Sequence, residues 1–194
     1  KHKSYKTEKE QEKFSGAYGF VIQPDLKTQK AAENLGKSLA PNAEFFVKVP
    51  HITLYHAKFE NLPKKDIEEK LSEIRKYEGT SLALNILQVY GGKFIFWNIE
   101  DKNKLQYIHR ITLETAKFLD KSELANAIEE GLNLNPQEME NIKKYGHPLV
   151  LEDYLPHITL AYDKRGIQLS PQKVSEHQIM QIDKISFAEM GAYG

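Results

Sequence analysis

The chain contains the stretch Pro50-His51-Ile52-Thr53-Leu54 and repeats it unchanged as Pro156-His157-Ile158-Thr159-Leu160. An identical pentamer that occurs twice within 194 residues indicates an internal duplication rather than chance. The two histidines are 106 residues apart (157 minus 51), which is about the length of one small lobe. The repeat therefore predicts two related halves that each contribute one histidine to a shared site.

Each copy has the composition of a β-strand that begins at its histidine. Isoleucine, threonine and leucine suit a strand, and proline is tolerated as the first residue of one. Side chains alternate along a strand, so the histidine and threonine share one face while the isoleucine and leucine point to the other. Each copy therefore predicts an imidazole beside a hydroxyl on one face of a strand.

Charge and composition limit the classes of function. The chain has 27 basic residues (lysine and arginine together) and 27 acidic residues (aspartate and glutamate together). No overall electrostatic field would therefore attract a long polyanion, and binding of long RNA is not predicted. Without cysteine, disulfide frameworks and cysteine zinc clusters are excluded. No stretch is apolar enough to span a membrane, so we expect no membrane partner. We also expect a monomer located in the cytoplasm. Because the sequence begins at Lys1 without an initiator methionine, export stays open.

Strand-like and helix-like patterns alternate around the two copies. Residues 44–59 carry the first copy, and the other predicted strands are 17–23, 81–90, 93–99 and 181–188. Apolar spacing indicates helices within 26–39, 63–79 and 105–119. Gly91-Gly92 predicts a tight turn between the two central strands, and Ser170-Pro171 is expected to open a short helix.

The second half carries an insertion over 121–155. Two short helices are predicted within it, the first capped by Ser122 and the second by Asn135, with Pro136 in its first turn and Gly146 beyond its end.

These patterns predict an α+β fold that is duplicated into two lobes related by a pseudo-two-fold axis. Antiparallel sheets would line a central cleft, with the helices on the outside. We expect residues 1–13 to form a mobile tail because they are strongly charged. The remainder, 14–194, is expected to be a single bilobal domain, with lobe one at about 14–90 and lobe two at about 93–194.

Two imidazoles on opposite sides of a small substrate can act as general base and general acid. The neighbouring threonine hydroxyls can donate hydrogen bonds to phosphate oxygens, where negative charge must be stabilised. This chemistry requires no metal and no cofactor, and the spacing of His51 and His56 on a strand predicts opposite faces rather than a metal site.

Two H-x-T-L motifs on strands about a hundred residues apart resemble the two-histidine (2H) phosphoesterase superfamily, which includes the bacterial RNA ligase-like cyclic phosphodiesterases. The closing residues Phe187-Ala188-Glu189-Met190-Gly191 also resemble the last strand of that family. The resemblance implies that the catalytic residues are His51, Thr53, His157 and Thr159. It implies opening of a 2′,3′-cyclic nucleotide or RNA-terminal cyclic phosphate, or cleavage of a related 2′-5′ or 3′-5′ bond, with a nucleotide or short RNA as partner.

Many members of this family carry an aromatic residue five positions after the motif histidine. Tyr162 fits this pattern in the second copy, whereas His56 replaces the aromatic residue in the first.

Several other residues are candidates for substrate binding. Aromatic rings can stack on a base, although on strands they also serve as core, and a lysine near the motif can meet a phosphate. The candidates are Tyr18, Lys48, Tyr55, Trp97 and Tyr162. The four remaining histidines, His2, His109, His147 and His177, are expected to be solvated or to cap helices.

Two other functions fit the same residues. A nucleotide-binding module could keep the site without turnover, and an RNA 2′-5′ ligase would use the same four side chains in reverse.

Overall fold

The computed structural model describes residues 12–122, 134–170 and 174–191 and confirms the predicted α+β class. Its strands are β1 (Lys13–Pro24), β2 (Phe45–Phe46), β3 (Ile52–Pro63), β4 (Ser81–Tyr90), β5 (Phe94–Ile99), β6 (His157–Tyr162) and β7 (Ser175–Glu189). Its α-helices, numbered among the described residues, are α1 (Leu26–Leu39), α2 (Lys64–Ile74), α3 (Asn103–Leu113) and α4 (Pro136–Tyr145). Short 3₁₀ helices cover Arg75–Tyr77, Glu114–Phe118 and Leu151–Asp153.

All seven strands belong to one antiparallel sheet in the order β2-β6-β3-β1-β7-β4-β5. Strand β5 also pairs with β6, so the sheet closes on itself. The predicted antiparallel pairing is confirmed, and the strands of both halves join in one continuous sheet. The reason is that β6, which carries the second pentamer, pairs with β5 along one edge and with β3 and β2 along the other.

Helices α1, α2 and α3 pack against this sheet and form the core with it. Helix α1 packs against β6 and β7, α2 against β7 and β3, and α3 against β3. The isoleucine and leucine of both pentamers lie in this core and are at most 1% exposed. Burial of these four side chains therefore leaves the histidines and threonines on the opposite face.

Helix α1 forms over the predicted residues and lies against the sheet through small side chains. Thr28, Ala32 and Gly36 are buried. Leu35 and Leu39 are partly buried against the core, whereas Leu26 is 71% exposed. A Cβ added at Gly36 would lie 2.6 Å from the carbonyl oxygen of Leu160. These small residues therefore allow α1 to rest directly on the backbone of β6, because larger ones would hold it away.

Turn and cap signals in the sequence match the structure closely. Gly91 and Gly92 both have positive φ angles, 57° and 72°, in the turn between β4 and β5. Helix α4 begins at a capping box formed by Asn135 and Glu138 and ends at Gly146, whose φ of 71° is left-handed.

Some predicted features lie outside the described residues. They include the helix expected after Ser122 and most of the 1–13 segment, of which Lys13 already belongs to β1. The helix expected at Ser170-Pro171 also falls largely outside them, and the chain is in strand β7 from Ser175. Among the described helices, none is both long and apolar enough to cross a membrane.

Candidate active site

The two pentamers lie side by side in the sheet. Strands β3 and β6 are antiparallel, and their registered pair is Ile52 with Ile158. This register places His51 across from Thr159 and Thr53 across from His157 on the face away from the helices. The two histidines are then diagonal neighbours, which on adjacent strands are separated by roughly 7–8 Å. The four predicted catalytic residues are therefore brought together.

Both motif histidines are held in the same tautomer. The Nδ1–H of His51 donates to the carbonyl oxygen of Val49 at 2.8 Å, and the Nδ1–H of His157 donates to that of Leu155 at 2.6 Å. A carbonyl oxygen can only accept, so Nδ1 carries the hydrogen in each ring. In both rings Nε2 is therefore the nitrogen that can accept or donate a proton.

A β-bulge follows each motif histidine. In the pairing of β1 with β3, Val21 faces Thr53 and Phe20 faces Tyr55, which leaves Leu54 as the extra residue. The same irregularity occurs between β5 and β6, where Leu160 is the extra residue. Each bulge shifts the alternation of side chains by one position.

Because of the first bulge, His56 lies on the same face as His51. Both Leu54 and Tyr55 are buried in the core, and the next residue, His56, is again half-buried. Burial, with a smaller contribution from the nearby His51, lowers the pKa of His56 to about 4. The prediction that His51 and His56 point to opposite faces is therefore wrong, since it assumed an unbroken period of two.

The backbone of the first bulge is held by groups from elsewhere in the chain. The Tyr154 hydroxyl donates to the carbonyl oxygen of Thr53 at 3.2 Å, and the Nδ1–H of His109 donates to that of Leu54 at 2.6 Å. The other ring nitrogen of His109 accepts the backbone N–H of Leu151 at 3.0 Å. Tyr154 of the insertion and His109 of α3 thus hold the bulge that positions the first histidine and threonine.

From the sequence we expect His109 to be solvated or to cap a helix, but the structure places it in the core as a neutral ring. It is fully buried, and its ring stacks on that of Tyr154 with centroids 4.0 Å apart. Both ring nitrogens have partners, and burial lowers its pKa to about 4. The expectation failed because it considered only the place of His109 on a helix, whereas its partners are 42 or more residues away.

His147 also joins the site, contrary to expectation. It follows Gly146 at the end of α4, and its ring centroid lies 4.4 Å from that of His56. Its Nδ1 accepts the backbone N–H of Leu149 at 3.1 Å. The sequence offers no local signal for this placement, because α4 and β3 are far apart along the chain.

Two residues of β5 surround His157. The ring of Phe96 stacks on the imidazole with a centroid distance of 3.5 Å, and Asn98 is the cross-strand partner of His157. Asn98 is 4% exposed and donates through Nδ2 to Gln88, while its Oδ1 has no hydrogen-bond partner among the described residues. Neither residue belongs to a recognisable motif, and only the strand pairing brings them to the site.

Two of the predicted substrate-binding aromatics lie in the core. Tyr55 is 2% exposed and its hydroxyl donates to the carbonyl oxygen of Tyr145 at 2.7 Å. Trp97 is fully buried, and its indole N–H donates to the backbone carbonyl oxygen of Glu176 at 2.7 Å. Neither ring has a face available to a base, so the structure favours the core role for both and corrects the expectation that they bind substrate.

The other three candidates have different surroundings. Tyr18 is half-buried and stacks on Phe187 with centroids 5.3 Å apart, on the face of β1 opposite Gly19. Tyr162 is 5% exposed, and its ring centroid lies 4.7 Å from that of Phe94. Lys48 is exposed in the loop between β2 and β3. Of the three, Tyr162 lies on the strand of the second motif.

The electrostatics of the site are set by its histidines. Burial lowers the pKa of His51, and burial together with the proximity of His51 and His56 lowers that of His157 to about 4. Burial also holds the pKa of His147 well below its usual value. Over the described ranges, no three His, Cys, Asp or Glu side chains are placed to hold a metal ion. The site is therefore a group of neutral imidazoles near pH 7.

These lowered pKa values predict a loss of stability in mild acid. The affected residues are His51, His56, His109, His147 and His157. Below pH of about 6.5 the unfolded chain binds protons that the folded chain does not, so the free energy of unfolding should fall between about pH 6.5 and 4. Thermal melting across this range should show it, and the slope should be shallower in His56→Phe than in the exposed control His177→Phe. A melting temperature that stays constant or rises in acid would contradict these burial effects.

Neither a protein-family model nor a curated protein matches the sequence. Solved structures do match. They include the MHV ns2 PDE domain, with 12% identity, a TM-score of 0.52, and coverage of 91% of this chain and 99% of that one. The structure of E. coli LigT complexed with ATP has 13% identity, a TM-score of 0.50, and coverage of 92% and 96%. A structure described as a phosphoesterase has 14% identity, a TM-score of 0.50, and coverage of 92% and 97%. At these identities the likeness shows a shared fold over nearly the whole chain.

Proposed function

We propose that this chain, which has the fold of the two-histidine phosphoesterases, is a metal-independent phosphodiesterase of that superfamily. Its substrate is a 2′,3′-cyclic nucleotide, an RNA-terminal cyclic phosphate or a related 2′-5′ or 3′-5′ oligonucleotide bond. The catalytic groups are His51 and His157 as the acid and base pair, and Thr53 and Thr159 as donors to phosphate oxygens.

The observation that carries this proposal is the matched environment of the two histidines. Each ring is fixed through Nδ1–H to the carbonyl two residues before it, and each has a threonine two residues after it on the same face. A structural histidine does not need this arrangement twice, whereas an acid and base pair needs two oriented Nε2 atoms.

The geometry supports an in-line displacement at phosphorus. One Nε2 accepts a proton from water as the water oxygen forms a bond to phosphorus. The other Nε2, protonated at the start, donates its proton to the ribose oxygen as the bond from that oxygen to phosphorus breaks. The threonine hydroxyls donate to the non-bridging oxygens, which gain negative charge during this step. Protons balance, because one ring gains the proton that the other loses.

A nucleotide as substrate class has further support. E. coli LigT, which shares the fold, is complexed with ATP. In this chain, the half-buried Phe94 packs on the buried Tyr162 where β6 and β5 meet, beyond the second motif. Aromatic rings beside a phosphate site favour substrates that carry a base.

The test is turnover of adenosine 2′,3′-cyclic phosphate in the presence of EDTA. We expect hydrolysis to a single adenosine monophosphate whose phosphate position is read by chromatography, at a rate that EDTA does not change. Binding of the cyclic nucleotide without turnover would support the non-catalytic module instead. Joining of RNA ends in preference to hydrolysis would support the ligase. Loss of activity in EDTA would contradict a metal-independent mechanism.

A further inference from the structure

A second pair of imidazoles lies beside the catalytic pair. His56 follows the first bulge on β3, and His147 reaches it from the end of α4, with their rings inclined at 65°. Both rings are close to His157: His56 contributes to lowering the pKa of His157, and His157 contributes to lowering the pKa of His147. The proposed reaction uses neither residue.

The tautomer of His147 is determined by the backbone. An amide N–H can only donate, so the Nδ1 of His147, which accepts from Leu149, carries a lone pair. In the neutral ring the hydrogen is therefore on Nε2. Protonation at Nδ1 would break the bond to Leu149, so His147 is held as a neutral donor. This is the reverse of the motif histidines, in which Nδ1 carries the hydrogen.

His56 occupies a space that the second half of the chain fills differently. Gly19 is the partner of His56 on β1, and a Cβ at this glycine would lie 2.7 Å from the Cβ of His56. At the matching place in the second half, Phe94 is the partner of Tyr162. The first half thus has an imidazole over a glycine where the second has two aromatic rings, and His147 packs against that imidazole.

The side chains of His56 and His147 are suited to binding an oxyanion. Across the described parts of the chain, His56 has no hydrogen-bond partner, and only histidines contribute to the electrostatic environment of the two rings. His147 supplies one N–H donor and His56 supplies another, and no carboxylate of the described residues forms a hydrogen bond or ion pair with either ring. An adjacent oxyanion would also favour the protonated form of His56, which burial disfavours.

We propose that His56 and His147 form a second oxyanion subsite, which binds a phosphate monoester that the substrate carries in addition to the reacting phosphodiester. This inference rests on the proposed function and narrows its substrate class to nucleotides or short oligonucleotides with two phosphate groups. His147, which follows helix α4, is then part of the substrate site.

The test compares adenosine 2′,3′-cyclic phosphate with the same molecule carrying a 5′-phosphate. We expect kcat/KM of the wild-type protein to be about tenfold or more higher for the 5′-phosphorylated substrate, since hydrogen bonds to a charged group contribute strongly. In His147→Phe and His56→Phe, which keep an aromatic ring but lose the donors, this ratio should fall towards one. The exposed His177→Phe is the matched control and should keep the wild-type ratio.

The same variants separate this subsite from the proposed function. If the wild-type protein hydrolyses both substrates equally, the subsite is wrong and the phosphodiesterase stands. The variants could instead change the relative kcat/KM for purine and pyrimidine substrates while the ratio of kcat/KM with and without the 5′-phosphate stays the same. The two rings would then contact the base, which also overturns the subsite. If no substrate is hydrolysed, calorimetry with adenosine 3′-phosphate and adenosine 3′,5′-bisphosphate decides. The bisphosphate should then bind more tightly, and His147→Phe should remove that difference; equal binding would end the proposal.

Discussion

Each of the single variants His51→Ala and His157→Ala should lower kcat/KM for a 2′,3′-cyclic nucleotide by about a hundredfold or more. Each substitution removes an Nε2 that the proposed reaction needs, either to take a proton from water or to give one to the leaving oxygen. The double variant should be little worse than either single one, because acid and base act in one step and their losses do not add. Steady-state kinetics of the three variants tests this.

The pH profile gives an independent reading of the same pair. A rate that needs one neutral and one protonated imidazole passes through a maximum, so kcat/KM should be bell-shaped. The pKa values of both His51 and His157 lie below 6.5 because of burial, so the maximum should lie on the acidic side of pH 6.5. Single variants should lose one limb, whereas the control His177→Ala should keep both. A flat profile between about pH 5 and 8 would contradict the pair.

The faces of the two pentamers could be predicted from the sequence because strand periodicity holds over those few residues. Ile52 and Ile158 are fully buried and face each other, and the histidines and threonines lie together on the other face. The prediction failed at His56 because the bulge adds a residue at Leu54, and a bulge depends on how β1 and β3 pair.

The remaining site residues could not be found because only tertiary contacts place them. His109 and His147 lie on α3 and after α4, and neither local pattern indicates that they reach β3. The aromatic candidates were ambiguous for a different reason. A strand tryptophan suits both a core and a base-binding surface, and Trp97 joins the core because its N–H finds the Glu176 carbonyl there.

Valine in place of Thr53 or Thr159 should lower kcat by roughly ten- to a thousandfold while the fold survives. Valine keeps the shape and strand preference of threonine but removes the hydroxyl that would stabilise charge on a non-bridging oxygen. The contact that holds the first bulge should persist, because Tyr154 donates to the backbone carbonyl of Thr53 and not to its side chain. The control is Thr80→Val, at an exposed threonine just before β4.

Comparing kcat with KM shows what the hydroxyls do. Because the phosphate oxygens gain charge only as the reaction proceeds, the loss should fall mainly on kcat, with a smaller change in KM. A rise in KM alone would make the threonines substrate-binding groups that act equally before and during the reaction. If both Thr→Val variants keep the wild-type kcat and the same melting temperature, the threonines have no part in the mechanism, and the two histidines must stabilise the developing charge by themselves.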